Sequence, residues 1–229
     1  MSSAKILITG LANTGKTSLL KPLKNALVIS RDGKPFSLEL IHVNIPDFID
    51  ENNGKIIFQI SNLLDIVEEK LEAYKTKSGK YPDTLVFDSV SRIFTDIETS
   101  CSNRFKGYDV WSNVNTEINQ FLSALTDIQN MGINIILIAH AVFDVDAKKF
   151  VETCKGSFAK IGGFLSTVDY AINIDIVGNK RIVTHKGMNL SRTLIEDMPE
   201  KQNVNEFNLQ EYIEKIKAKS KTVTEKWSI

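Results

Sequence analysis

The sequence is short of most features that mark a specialised protein class. It has two cysteines in 229 residues. Cys101 and Cys154 form no motif, which excludes a disulfide scaffold and makes a reducing cytosol the natural setting. No apolar run approaches the ~20 residues that a membrane-spanning helix needs, so no membrane association is expected. Residues 1–5 lead straight into a short apolar stretch, without the longer apolar region and small-residue cleavage site of a secretory signal. Charge of one sign is also missing. The 28 Lys and Arg balance the 28 Asp and Glu, so a nucleic-acid contact would have to be local. What remains is 42% hydrophobic and 24% charged, the make-up of an ordinary domain with one sizeable core.

Strand and helix patterns alternate along the chain. Residues 5–9 are a compact, β-branched apolar run ending at Gly10, the signature of a buried strand. A glycine-bounded turn follows, then a short helix over residues 16–21 that Pro22 limits. Residues 26–30 read as a second strand, stopped by the turn signal of residues 31–34. Residues 36–43 are expected to be extended. Leu64, Val67, Leu71 and Tyr74 recur at helical spacing over residues 61–75, and residues 84–88 return to a buried strand. Ile118, Phe121, Leu122, Leu125 and Ile128 mark a helix over 113–130. The most hydrophobic strand follows at 133–141. Two further strands, 171–177 and 181–185, meet at Gly178-Asn179, a hairpin signal. Residues 209–219 form a last amphipathic helix, and the final residues read as loose. This order predicts a three-layer α/β domain with a mainly parallel sheet and an antiparallel hairpin at one edge. Residues 1–208 would form the core, and 209–229 a C-terminal helix and tail.

Gly10-Leu11-Ala12-Asn13-Thr14-Gly15-Lys16-Thr17 matches G-x-x-x-x-G-K-[ST] in full, between a predicted strand and a predicted helix. Glycines let the backbone wrap a polyphosphate and aim its amides inward, and a helix N-terminus adds positive potential. In this reading residues 10–17, with Ser18 beside them, bind a nucleotide, most simply ATP. Lys16 reaches the outer phosphates and Thr17 ligates Mg²⁺. Such a loop calls for an aspartate at the end of a buried strand to hold the metal, and Asp88, after Leu85-Val86-Phe87, fits. The alternative is that Asp88 caps a helix beginning at Ser89. Because Ser89 follows where many P-loop ATPases carry a catalytic glutamate, a hydrolytic base would have to come from another strand.

The loop together with Val86-Phe87-Asp88-Ser89 resembles the RecA-like core P-loop ATPases. That resemblance implies a RecA-like fold, ATP and Mg²⁺ as cofactors, ATP hydrolysis, and a catalytic carboxylate at the end of the strand after the loop helix. Asp32 is the positional match, although Asp32-Gly33 is also an ordinary turn pair. The family's polar sensor, at the end of the next core strand, falls on His140. The small bacteriophage-type ATPases of single-strand annealing and recombination are the closest in character. The matching features are the loop near the N-terminus, Pro22, Arg104-Phe105-Lys106-Gly107 before Trp111, and residues 135–140. A phage origin would place the protein in the host cytoplasm.

The same resemblance implies that the loop after the sensor strand, residues 143–164, touches single-stranded DNA. There Lys148, Lys149, Lys155 and Lys160 interleave with Phe150 and Phe158, offering cations to phosphates and rings to bases. Asp144, Asp146 and Glu152 dilute that charge, and a solvated surface loop is the other reading. Members form rings or filaments in which a basic residue completes the neighbour's site. Lys186 and Arg192 are in place for this, or simply decorate a hairpin tip. A nucleoside or nucleotide kinase would need an arginine-rich lid, which the sequence lacks. A GTPase would need an aspartate two places after Lys180. A binding module that holds ATP without hydrolysing it stays open, because Asp32 is shorter than the usual glutamate.

Overall fold

Alternation along the central strands decides the layering. The structure is a computed structural model that describes residues 3–31, 37–146, 148–186 and 190–227, with side chains to residue 220. In β1 (Lys5–Gly10) Leu7 points to one apolar cluster while Ile6 and Ile8 point to another. β2 (Ala26–Ser30) divides in the same way, Leu27 and Ile29 opposing Ala26 and Val28. A strand that is apolar on both faces has to be covered on both, which is the condition for an interior parallel sheet.

Eight strands form that sheet among the described residues. They comprise β1, β2, β3 (Ile41–Asn44), β4 (Thr84–Asp88), β5 (Asn134–Ile138), β8 (Tyr170–Val177), β9 (Lys180–Thr184) and β10 (Lys201–Asn203), in the spatial order β10-β9-β8-β1-β5-β4-β2-β3. Pairing is parallel from β3 through β8, and antiparallel from β8 to β9 and from β9 to β10. One face is covered by α1 (Ile60–Ser78), α2 (Val90–Arg104) and α3 (Tyr108–Asn130), which contribute Leu63, Val67, Ile93, Phe94, Ile118 and Phe121. Phe87 of β4 meets Phe121 of α3 edge to face, with ring centroids 5.2 Å apart. The opposite face carries Leu19, Leu20 and Leu23, and α5 (Leu209–Trp227) through Leu209, Tyr212, Ile213 and Ile216. The expected three layers, parallel sheet and edge hairpin are all present.

Four local expectations are corrected. The helix after the loop is a single 3₁₀ turn, Thr17–Leu20, held by bonds of the Leu19 N–H to Lys16 O and the Lys21 N–H to Ser18 O. Pro22 explains this, because an α-helix through it would press its ring on the carbonyl of Ser18. The strand expected over 133–141 ends at Ile138. Ala141–Asp144 (β6) instead pairs antiparallel with Lys149–Glu152 (β7) as a separate hairpin. The stretch expected to be extended over 36–43 yields only β3, and Phe36 lies outside the described residues. Finally, α5 continues to Trp227, where a loose tail was expected.

Candidate nucleotide site

β1 delivers the loop at the C-terminal edge of the sheet. Gly10 has φ +155°, and a Cβ there would sit 2.5 Å from Ile174 O on β8 and 2.8 Å from Thr14 Oγ1, so only glycine fits. Asn13 adopts the left-handed region, with φ 64°, which asparagine tolerates better than most residues. The Thr14 hydroxyl donates to Leu11 O at 2.9 Å and closes the turn. Leu11, Ala12, Asn13 and Ser18 are exposed, while Thr14 and Lys16 are buried. Lys16 Nζ donates to Gly10 O at 2.9 Å and to Leu11 O at 2.7 Å, which holds its cation inside the loop. With a helix of one 3₁₀ turn, the helix dipole adds little. The positive potential of the site comes from the loop amides and Lys16.

The Asp88 carboxylate accepts the Thr17 hydroxyl at 2.7 Å, joining residues 71 apart in sequence. Ser89, whose peptide bond to Asp88 is cis, is the N-cap of α2 and its hydroxyl accepts the Arg92 N–H at 3.3 Å. Capping therefore falls to Ser89, and the Asp88 carboxylate faces the loop. Two hard oxygens side by side fit a small divalent cation such as Mg²⁺, which is commonly held by one carboxylate together with substrate phosphates. Among the described residues no cluster of three metal-ligating side chains exists, so waters and phosphates would complete the shell of a cation here. When bound, Mg²⁺ would neutralise charge on the terminal phosphates.

β5 lies between β1 and β4, with Ile138 in register with both Ile8 and Asp88. His140, two residues beyond, thus leaves the sheet between the loop and the Asp88 carboxylate. Its N–H donates to Ser91 Oγ at 2.8 Å, tying the strand end to α2. Asp32 lies outside the described residues. The chain leaves β2 beside Asp88, because Ser30 is in register with Asp88 and the Arg31 N–H donates to Asp88 O at 2.7 Å.

Sequence reading missed Arg31. It is buried at the end of β2, with Nη1 2.8 Å from Asp47 and Nε 2.8 Å from Asp96, and Asp96 is also approached by Arg92 Nε at 3.1 Å. Burial pushes the Asp96 carboxyl up, against the pull of Arg31 and Arg92. Through Asp96 on α2, this group fixes the end of β2 against the element that follows Asp88. Its only sequence signal was a charged residue directly after an apolar strand.

The DNA-contact candidates separate into two groups. Lys149, Phe150 and Lys160 line one open cleft of about 520 Å³, and Lys148 sits exposed at the β6–β7 turn with φ 50°. Phe158 is corrected: it is 4% exposed on α4 (Gly156–Lys160), packed between Phe94 and Phe164, and belongs to the core. Lys155 is paired with Glu98 at 3.1 Å. Lys186 Nζ donates to Glu196 O at 2.8 Å, and Arg192 Nη1 donates to Val168 O at 3.1 Å.

With the loop, Thr17 and Asp88 in place, comparison with known families is decisive. The AAA domain model matches residues 2–193. The chain belongs to the AAA domain family. As a member it is a P-loop ATPase-type protein, and its sheet is mainly parallel. Among solved structures it is similar to a KaiC-like protein of the hyperthermophilic archaeon Pyrococcus horikoshii. That match has 16% identity and a TM-score of 0.47, over 87% of this chain and 84% of that one. No curated protein matches the chain. Among the described residues of this AAA domain, no helix is long and apolar enough to cross a membrane.

Proposed function

We propose that this protein is a Mg²⁺-dependent ATPase that acts on single-stranded DNA as a homo-oligomer, in the manner of the bacteriophage-type ATPases of annealing and recombination. The observation that carries the reading is the 2.7 Å contact of Thr17 with Asp88 beneath a complete phosphate loop. Lys16 and the loop amides bind the phosphates, Thr17 and Asp88 hold the cation, and Asp32 orients the attacking water as general base. His140, between loop and carboxylate, senses the terminal phosphate. Hydrolysis breaks the bond between the β–γ bridging oxygen and the γ-phosphorus while water supplies the new oxygen, and its proton passes to Asp32. Beyond His140, the β6–β7 hairpin presents Lys148, Lys149, Phe143 and Phe150, with Lys160 across the cleft. Phe143 is 52% exposed, as a ring that stacks on bases must be. Lys186 and Arg192 complete the neighbouring subunit's site once they exchange their present carbonyl partners.

ATP turnover with and without a single-stranded oligonucleotide tests this reading. The expected result is turnover that rises with DNA and falls by roughly 10²–10⁴-fold in Asp32→Asn with ATP binding retained. Replacing Lys148 and Lys149 together by alanine should flatten the salt dependence of DNA binding by about 1.4 in slope, ~0.7 for each lost phosphate contact. Phosphate transfer to a nucleoside would overturn the assignment in favour of a kinase. Tight ATP binding without turnover would make the protein a binding module.

A further inference from the structure

Arg181 has no part in the site described above, yet its side chain lies on the phosphate loop. A Cβ placed on Gly15 would stand 3.0 Å from Arg181 Nη1, 3.4 Å from Cζ and 3.6 Å from Cδ. The residue comes from β9 and crosses β8 to reach the loop. Among the described residues its guanidinium makes no ion pair, and the side chain is exposed. An exposed arginine beside the loop, without an acidic partner among the described residues, has its donors available to a ligand.

The sheet order says which part of a nucleotide Arg181 would meet. β4, which carries the cation-binding Asp88, and β9 lie on opposite sides of β1. A nucleotide whose terminal phosphates sit at Thr17 and Asp88 therefore sends its nucleoside end toward the β8–β9 hairpin. There, Ile176 of β8 is in register with Arg181, and directly opposed residues of an antiparallel pair share a face. Ile176 is 48% exposed and Leu11 on the loop 37%. A planar cation beside exposed aliphatic surface suits the two faces of a nucleobase, one taking a cation–π contact and the other an apolar one.

We infer that Arg181 is a nucleotide-binding residue, supplied by the same chain, whose guanidinium stacks on the base of the nucleotide held by the loop. The assignment rests on the proposed reading of the loop as an ATP site. It makes Arg181 a determinant of affinity rather than of turnover, and separates it from the basic residues that act on a neighbouring subunit.

Titrations of ATP, ADP and inorganic tripolyphosphate in the presence of Mg²⁺, on wild type, Arg181→Ala and Arg181→Lys, test it. Arg181→Ala should weaken ATP and ADP by the same factor, about tenfold, and leave tripolyphosphate binding and the melting temperature unchanged. Arg181→Lys, which keeps the charge and loses the plane, should recover only part of that loss. Equal weakening of tripolyphosphate would overturn the assignment in favour of a phosphate contact. ATP affinity within about twofold of wild type in both variants would overturn it outright, as would lost turnover at unchanged affinity. A wild-type protein that binds no ATP contradicts the proposed function, and the role of Arg181 with it.

Discussion

Single residues carry the chemistry, and they differ in how far local sequence announces them. The phosphate loop and Asp88 are legible because each completes a pattern of strand followed by turn or helix within a few positions. Arg31 and Arg181 are not, because their partners arrive through strand pairing and helix docking that no local window contains. Arg31 illustrates the consequence. Its guanidinium faces Asp96, a carboxylate 1% exposed, and removing one member of a buried pair leaves a charge that the interior cannot solvate. Arg31→Ala should therefore lower stability by about 3–5 kcal/mol, measured by urea unfolding. A loss below about 1 kcal/mol would mean that Arg92 alone satisfies Asp96.

At the level of elements, helices and buried strands were legible where period and length agreed, as in β4 and α3. The β6–β7 hairpin was not. Its strands are four residues each, and its turn depends on the Asp146 N–H donating to the Asp144 side chain and on the left-handed backbone of Lys148. Two β-rich tetrads separated by the four residues 145–148 were the available signal. The C-terminal helix supplies a pH test. His185, at the end of β9, is fully buried, with ring centroids 5.4 Å from Phe207 and 5.5 Å from Tyr212 of α5. Burial, with smaller contributions from Lys186 and Lys215, lowers its pKa to about 4 from the ordinary histidine value of 6.5. Between these values the unfolded chain takes up a proton that the folded chain refuses, so stability is lost as pH falls from about 6.5 to about 4. The full effect is on the order of 3 kcal/mol. Glu152 acts in the opposite sense, because burial, against the backbone N–H groups of Leu165 and Phe164, raises its pKa to about 7, and its contribution is lost as pH rises. The wild type should accordingly be compared with His185→Phe in denaturant melts at pH 7.5 and pH 4.5. The variant should lose less stability at the acid end, and parallel pH profiles would refute the role of His185.

The whole molecule brings together what sequence leaves apart. Composition and element order foretold a three-layer α/β domain, and the sheet is built that way. Strand order was beyond reach of the sequence, because nothing local specifies that β5 separates β1 from β4 or that β8 and β9 border the loop on its other side. That order makes the site directional, with Asp88 and His140 on one flank of the loop and Arg181 on the other. Membership of the AAA domain family and the Thr17–Asp88 contact both support the proposed reading, a phosphate site completed by a metal. Steady-state ATP hydrolysis by wild type and Asp88→Asn across a Mg²⁺ titration tests that claim most directly. Wild type should require Mg²⁺, and Asp88→Asn should turn over roughly a hundredfold more slowly or worse, since losing the cation's charge stabilisation costs about 3 kcal/mol or more. Equal rates for the two proteins, or hydrolysis that persists in EDTA, would contradict it.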